Sequence, residues 1–114
     1  MISQALAQEV SQLEADLCFA LADPTRILIL YALDEQARNV TELTTELGIT
    51  QPTTSRHLKI LRDRGLVNTN RLGTTITYQI SDRRLIQALD LLRSVLRERI
   101  THNANLMDEI AALD

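Results

Sequence analysis

Residues 50 to 67 read TQPTTSRHLKILRDRGLV, and the architecture of the chain turns on this segment. Thr50 has a hydroxyl suited to capping a helix, Pro52 falls in a first turn whose amides lack intrahelical partners, and Gly65 supplies a stop. About four turns fit between these signals. Within them Thr54, Leu58 and Leu61 follow the i, i+4, i+7 spacing of a buried stripe, while Thr53, Arg56 and Lys59 project to the other side. The spacing predicts a helix with one packed face and one free face. Gln, Ser, Thr and Arg on a free face match the donors and acceptors that base edges offer in a DNA major groove, which admits one α-helix. Any amphipathic surface helix also sets polar residues opposite leucines, so the flanking segments must decide.

Upstream, Asn39 followed by Glu42 resembles a capping box, with Val40, Leu43 and Leu47 as the stripe of a short helix closed by Gly48. The connection Gly48-Ile49-Thr50 is then the tight, glycine-containing turn of a helix-turn-helix. Farther back, Asp23-Pro24 reads as a cap and a first-turn proline. They open a helix that should end near Asp34, with Ile27, Leu28, Leu30, Tyr31 and Leu33 inward. Leu6, Val10, Leu13, Leu17 and Leu21, at steps of three and four, mark a first helix from near Ser3 to Leu21.

Downstream of Gly65 the period changes. The β-branched or alternating runs Leu66 to Asn70 and Thr75 to Ile80, separated by Arg71-Leu72-Gly73-Thr74, predict a β-hairpin with a basic tip. A hairpin directly after a helix-turn-helix is a wing, and Arg71 and Thr74 at its tip are placed to reach phosphates or an adjacent minor groove; a solvated turn is the plainer alternative. From Asp82 to about Ala112 the chain has neither proline nor glycine, and Leu85, Ile86, Leu89, Leu92, Leu96, Ile100 and Leu106 run through one long helix. The expected fold is mainly α with a β-hairpin, in the order α-α-α-α-β-β-α, as a single winged helix-turn-helix domain over residues 1–114.

Two leucine-striped helices at opposite ends exceed what so small a core can cover. We therefore expect a homodimer through the terminal helices, using Leu6, Val10, Leu13 and Leu17 from the first and Leu89, Leu92, Leu96 and Ile100 from the last. Its two-fold axis would present two recognition helices about 34 Å, or about 10 base pairs, apart, which implies double-stranded DNA carrying an inverted repeat as the partner.

The net charge of -3 over 114 residues argues superficially against a nucleic-acid partner. Its distribution reverses the argument. From Gln51 to Arg84 seven basic residues face two acidic ones, a local net charge of +5, whereas residues 1–23 hold four acidic residues and no Lys or Arg. No apolar run approaches the roughly 20 residues that span a bilayer, and the amino end has no basic segment followed by an apolar stretch, so a cytoplasmic protein without a membrane partner is expected. Cys18, the single cysteine, is expected as a small buried hydrophobe. No glycine-rich phosphate loop, HExxH pattern or catalytic Cys-His spacing is present, so no enzyme, catalytic residue or cofactor is expected.

The segments Leu21 to Leu30 (LADPTRILIL) and Gln51 to Arg62 (QPTTSRHLKILR), followed by Gly65-Leu66-Val67, resemble the ArsR/SmtB family over nearly the whole chain. That resemblance implies a homodimeric winged helix-turn-helix repressor, in many members released from DNA by metal ions. Carried over residue by residue, the base-reading positions fall on Gln51, Thr53, Ser55 and Arg56, with His57 in the Ser-Arg-His-Leu signature. His57 stands at the edge of the packed stripe, which leaves packing and DNA contact equally open. With Thr41 on the preceding helix, Lys59, Arg71 and Thr74, these residues complete the candidate DNA-binding set.

The family's sensory positions depart from its pattern. The thiolate pair of the arsenic or lead type falls on Asn39 and Thr41, and the terminal-helix zinc set falls on Asp82, Arg84, Val95 and Glu98. Arg84 and Val95 cannot coordinate a cation, so two of four ligands are lost. Glu98 and His102, one turn apart, are the remaining candidates for a non-standard metal site; Asp108 and Glu109 lie farther on. The leading expectation is thus a sequence-specific DNA-binding regulator whose metal or small-molecule effector is open. Its alternatives are a winged-helix protein-interaction module that binds no DNA and a regulator with a metal site near His102.

Overall fold

The computed structural model describes residues 1–113 and divides into two compact units, residues 1–83 and the remainder from Arg84. In the first unit, α1 (Gln4–Leu13) starts at Ser3, whose hydroxyl accepts the Leu6 amide at 3.1 Å. It runs into a π-helical segment (Glu14–Cys18) and then α2 (Phe19–Leu21). The single straight helix expected over this stretch therefore carries a π-distortion, in which backbone bonds close over five residues instead of four. The wider turn shifts the phase of the residues after it. Cys18, expected inside, is exposed.

Helix α3 (Pro24–Glu35) is started by Asp23, whose carboxylate accepts the amides of Thr25 at 2.8 Å and Arg26 at 3.4 Å, with Pro24 in the first turn. Ile29, Leu30, Ala32 and Leu33 are buried, whereas Leu28, expected inward, is exposed. The four consecutive apolar residues Ile27 to Leu30 give periodicity no means of choosing the inner ones, and packing chooses instead.

Helix α4 (Val40–Leu47) has the full capping box: Asn39 Oδ1 accepts the Glu42 amide at 2.8 Å and Glu42 Oε1 accepts the Asn39 amide at 3.0 Å. It ends at Gly48, whose φ of 66° is the left-handed conformation that glycine adopts without a Cβ clash. Helix α5 (Gln51–Asp63) follows, with Thr50 Oγ1 accepting the Thr53 amide at 3.3 Å. At its end the Leu66 amide reaches the Leu61 carbonyl at 2.9 Å and the Gly65 amide reaches that of Arg62 at 3.0 Å. These bonds form a Schellman motif that satisfies the last carbonyls and folds buried Leu66 onto buried Leu61.

Strands β1 (Val67–Leu72) and β2 (Thr75–Ile80) pair antiparallel, from Val67 opposite Ile80 to Leu72 opposite Thr75. The turn is tighter than the expected four-residue tip: Gly73 and Thr74 alone form it, with Gly73 at φ 64° in the first central position of a two-residue loop. A further bridge was not legible in the pattern. Arg38 pairs with Tyr78 through two backbone bonds of 3.1 and 2.8 Å, tying the α3–α4 connection to the wing. Arg38 also meets Glu35 at 2.8 Å and Glu46 at 2.5 Å, which braces α3 and α4.

The core of this unit collects Ala20, Ile29, Leu30, Leu33, Leu43, Leu58, Leu61, Leu66 and Val67. Each large aliphatic side chain removed from water in this way contributes about 1.5–3 kcal/mol. No helix of the described residues is long and apolar enough to cross a membrane.

The second unit is helix α6 (Arg84–Ala112), 29 residues and about 43 Å long. Ile86 and Leu89 are buried, while Leu91, Leu92, Val95, Leu96, Ile100, Met107 and Ile110 are exposed. In the first unit, Leu6, Val10 and Leu13 of α1 are 45, 51 and 46% exposed.

Candidate nucleic-acid interface

Because a helix advances about 100° per residue, the exposed and buried residues of α5 can be laid around its axis. Gln51, Arg62, Ser55, Lys59 and Arg56 fall in that order within an arc of about 140° and are all exposed. Thr54, His57, Leu58 and Leu61 occupy the opposite arc and are all buried. Thr53 is half-buried between the arcs, and its hydroxyl accepts from Thr50 Oγ1 at 2.8 Å.

Thr54 explains how the two helices of the turn keep their angle. Its Oγ1 donates to the Thr50 carbonyl at 3.0 Å and accepts from Thr44 Oγ1 at 2.9 Å. A fully buried polar group is thereby satisfied, and it joins α4, the turn and α5 in one chain of bonds. Among the described residues no buried side-chain polar atom lacks a partner.

Thr41 is exposed in the first turn of α4, and Arg71 and Thr74 are exposed at the wing, where Arg71 Nε donates to the Gly73 carbonyl at 3.3 Å. Lys59 pairs with Asp63 at 3.0 Å on the surface. Such an exposed pair is worth about 0.3–0.5 kcal/mol, so a phosphate can displace Asp63 at little cost. His57 differs from the rest of the candidate set. At 7% exposure, with Nδ1 3.3 Å from Arg26 Nη1, it lies in the packed arc and not on the free face. Two residues escaped the site assignment: Arg62, in register with Gln51 and Ser55 at steps of eleven and seven, and buried Arg26. The spacing could have found the first.

Asp23 is a charged neighbour of this region. Burial raises its carboxyl, but the amides of Thr25 and Arg26 and the charges of His57 and Arg26 outweigh that, and it lies below its ordinary value. Its stabilising contribution is therefore present above pH about 4 and is lost as pH falls toward the lowered value.

Glu98 and His102 share an exposed cleft of α6 with Ser94, Arg97, Thr101 and Asn105. Two donors are fewer than the four a structural zinc takes, and Arg97 beside them opposes a cation. Among the described residues no three His, Cys, Asp or Glu side chains converge on a point. Asn39 is committed to capping α4, and Thr41 offers only a hydroxyl.

A glycine-closed helix-turn-helix with a polar and basic free face on its second helix, followed by a hairpin, defines a DNA-binding transcription regulator of the winged helix-turn-helix class. Residues 23–69 match the bacterial regulatory protein arsR family. The chain is 38% identical over 104 residues to the transcriptional regulator NmtR of Mycobacterium tuberculosis, covering 91% of this chain and 77% of that protein. It is 40% identical over 78 residues to the repressor SmtB of the same species, covering 68% of this chain and 58% of that protein. The solution structure of a homodimeric winged helix-turn-helix DNA-binding domain from Mycobacterium bovis, a possible ArsR-family regulator, superposes with a TM-score of 0.75 at 31% identity. That match covers 89% of this chain and 93% of the other. The chain belongs to the ArsR family; it is a regulator and not an enzyme.

Proposed function

We propose that residues 1–114 act in the cytoplasm as one DNA-binding domain with dimerising terminal helices, and that the homodimer represses transcription by occupying an inverted-repeat operator. The observation that carries this reading is the exposed arc of α5, where Gln51, Ser55, Arg56, Lys59 and Arg62 stand together on a helix capped at both ends. Gln51, Thr53, Ser55 and Arg56 read base edges. Lys59, Arg62, Thr41 and the wing residues Arg71 and Thr74 hold phosphates or the minor-groove edge. A second copy covers Leu6, Val10 and Leu13 and the apolar side of α6, which sets the two reading helices one DNA turn apart. The homodimeric mycobacterial neighbour supports this arrangement. The usual metal positions lack a ligand set, so the releasing signal is of another kind or uses Glu98 and His102 from both copies.

Electrophoretic shifts with fragments of the source genome, in excess competitor DNA and rising salt, test the reading. Specific fragments should survive competitor, and six or more phosphate contacts should lower affinity about a thousandfold between roughly 50 and 200 mM salt. A protein-interaction module would retain no fragment, and that result would sink the proposal.

A further inference from the structure

The recognition helix is tied at two points to the end of the first helix. The first tie runs through His57. A guanidinium has only N–H donors, so across the 3.3 Å between Arg26 Nη1 and His57 Nδ1 the ring nitrogen must accept. The imidazole is then neutral, with its proton on Nε2. Arg26 is itself 8% exposed and is engaged at all three nitrogens. Its Nε donates to the Ala20 carbonyl at 2.7 Å, its Nη2 to the Phe19 carbonyl at 3.2 Å, and the Asp23 carboxylate lies 3.9 Å from Nη1. The second tie is Arg64, which caps the carboxyl end of α5. Its Nη1 donates to the Ala15 carbonyl and lies 3.6 Å from Asp16 Oδ1, and its guanidinium sits 4.4 Å from the Phe19 ring centroid. Both arginines thus land on the π-helical segment and the turn that follows it.

We propose that Arg26 is a positioning residue for DNA reading: through neutral His57 it fixes the roll of the recognition helix against the end of the first helix, and losing that bond lowers discrimination among DNA sequences more than general affinity for DNA. The inference rests on the operator-binding reading. Arg26 is buried, and the polar partners described for it, Ala20, Phe19, Asp23 and His57, all lie off the exposed arc, so it acts through where α5 stands. Base-edge hydrogen bonds need placement within about 0.5 Å and 10–20°, whereas flexible lysines and arginines follow a phosphate across such a shift. A loosened roll therefore costs base reading first.

The same contact gives a pH signature. His57 faces Arg26 and Asp23 from α3 and its cap, and Arg56 from its own helix. Burial depresses the imidazole, and of its neighbours Asp23 opposes the depression while Arg26 and Arg56 add to it, leaving it below the ordinary 6.5. The unfolded chain then takes up the proton more readily than the folded one. Stability from this contact is complete above pH 6.5 and declines as pH falls from there toward the lowered value. A protonated His57 would set donor against donor at Arg26, so discrimination by the folded protein should hold through that range and decline only as pH falls through the lowered value itself. A His57 that touched phosphate as a cation would give the opposite slope, with tighter binding in acid.

The test uses the full chain and two labelled duplexes of equal length, one selected from random sequence on the wild-type protein and one scrambled. The ratio of their Kd values is followed by fluorescence anisotropy from mildly alkaline pH down to the acid limit at which the chain stays folded. We expect the wild-type ratio to fall as pH drops through the lowered His57 value, by about tenfold once the ring is protonated, the size of one lost base contact. Arg26→Lys, which keeps the charge but loses the fork, should lower the ratio about tenfold at neutral pH, remove its fall in acid, and leave scrambled-duplex affinity within about twofold. His57→Asn, whose amide oxygen stands near the place of Nδ1 and does not titrate, should restore a flat profile. Circular dichroism checks that each variant folds; if Arg26→Lys does not, the wild-type and His57→Asn profiles decide. Ring nitrogen NMR shifts at neutral pH should show the proton on Nε2 alone. Equal losses on both duplexes, a wild-type ratio that rises in acid, a slope surviving in His57→Asn, or a proton on Nδ1 would each overturn the positioning role. A wild-type chain that tells no duplexes apart at any pH would instead overturn the operator reading, and the positioning role with it.

Discussion

Helices α5 and α6 are both amphipathic and both rich in charge, yet they treat their apolar residues in opposite ways. In α5 Leu58 and Leu61 are fully buried and both ends are capped by bonds within the same unit, and polar and charged side chains dominate what is left outside. In α6 Leu91, Leu92, Val95, Leu96 and Ile100 stand exposed along more than two turns. Helix α5 thus has its large leucines covered within its own unit, whereas the stripe of α6 from Leu91 to Ile100 is left open. We assign the covering of that stripe to a second copy.

The largest effect should come from α5's buried side. Leu61→Ala removes a fully buried side chain and should cost about 2–5 kcal/mol in urea unfolding; a cost under about 1 kcal/mol would mean the helix is not seated as described. The matching change on α6, Leu96→Asp, should leave that unfolding nearly unchanged. It should yield monomers in sedimentation and weaken operator binding about a hundredfold, because two linked half-sites become independent. A Leu96→Asp protein that stays dimeric would move the interface elsewhere. On α5's free side, Arg56→Ala should cost about 1–3 kcal/mol of discrimination between matched and mismatched operators, read from competition titrations. Lys59→Ala should have the smallest effect: a few-fold loss on all sequences alike and a salt slope reduced by about one. A base-specific loss in that variant would place Lys59 among the readers.

Much of this contrast was legible in the sequence. Asp23-Pro24, Asn39 with Glu42, Gly48, Thr50 and Gly65 each state their local rule, and each does in the structure what the rule requires. The π-helical segment was not legible, because the leucine steps from Leu6 to Leu21 pass through it without interruption. Leu28 and Ile29 were not separable inside an unbroken apolar run. The bridge from Arg38 to Tyr78 is a backbone pairing across 40 residues, and nothing local encodes it. Arg26 escaped because a charge in an apolar helix reads as exposed; only the assembled fold shows the carbonyls of Phe19 and Ala20 and the ring of His57 converging on it. For His57 the spacing left two roles open, and the geometry favours packing.

The assignment of the reading face is tested most sharply by selection from random-sequence duplexes with the wild-type chain and, in parallel, with a Gln51, Ser55 and Arg56 triple-alanine variant. The wild type should return an inverted repeat with half-site centres about 10 base pairs apart, and the variant should return no enriched sequence while still binding DNA weakly. Recovery of the same repeat by both proteins would contradict the assignment of the exposed arc of α5 as the reading face.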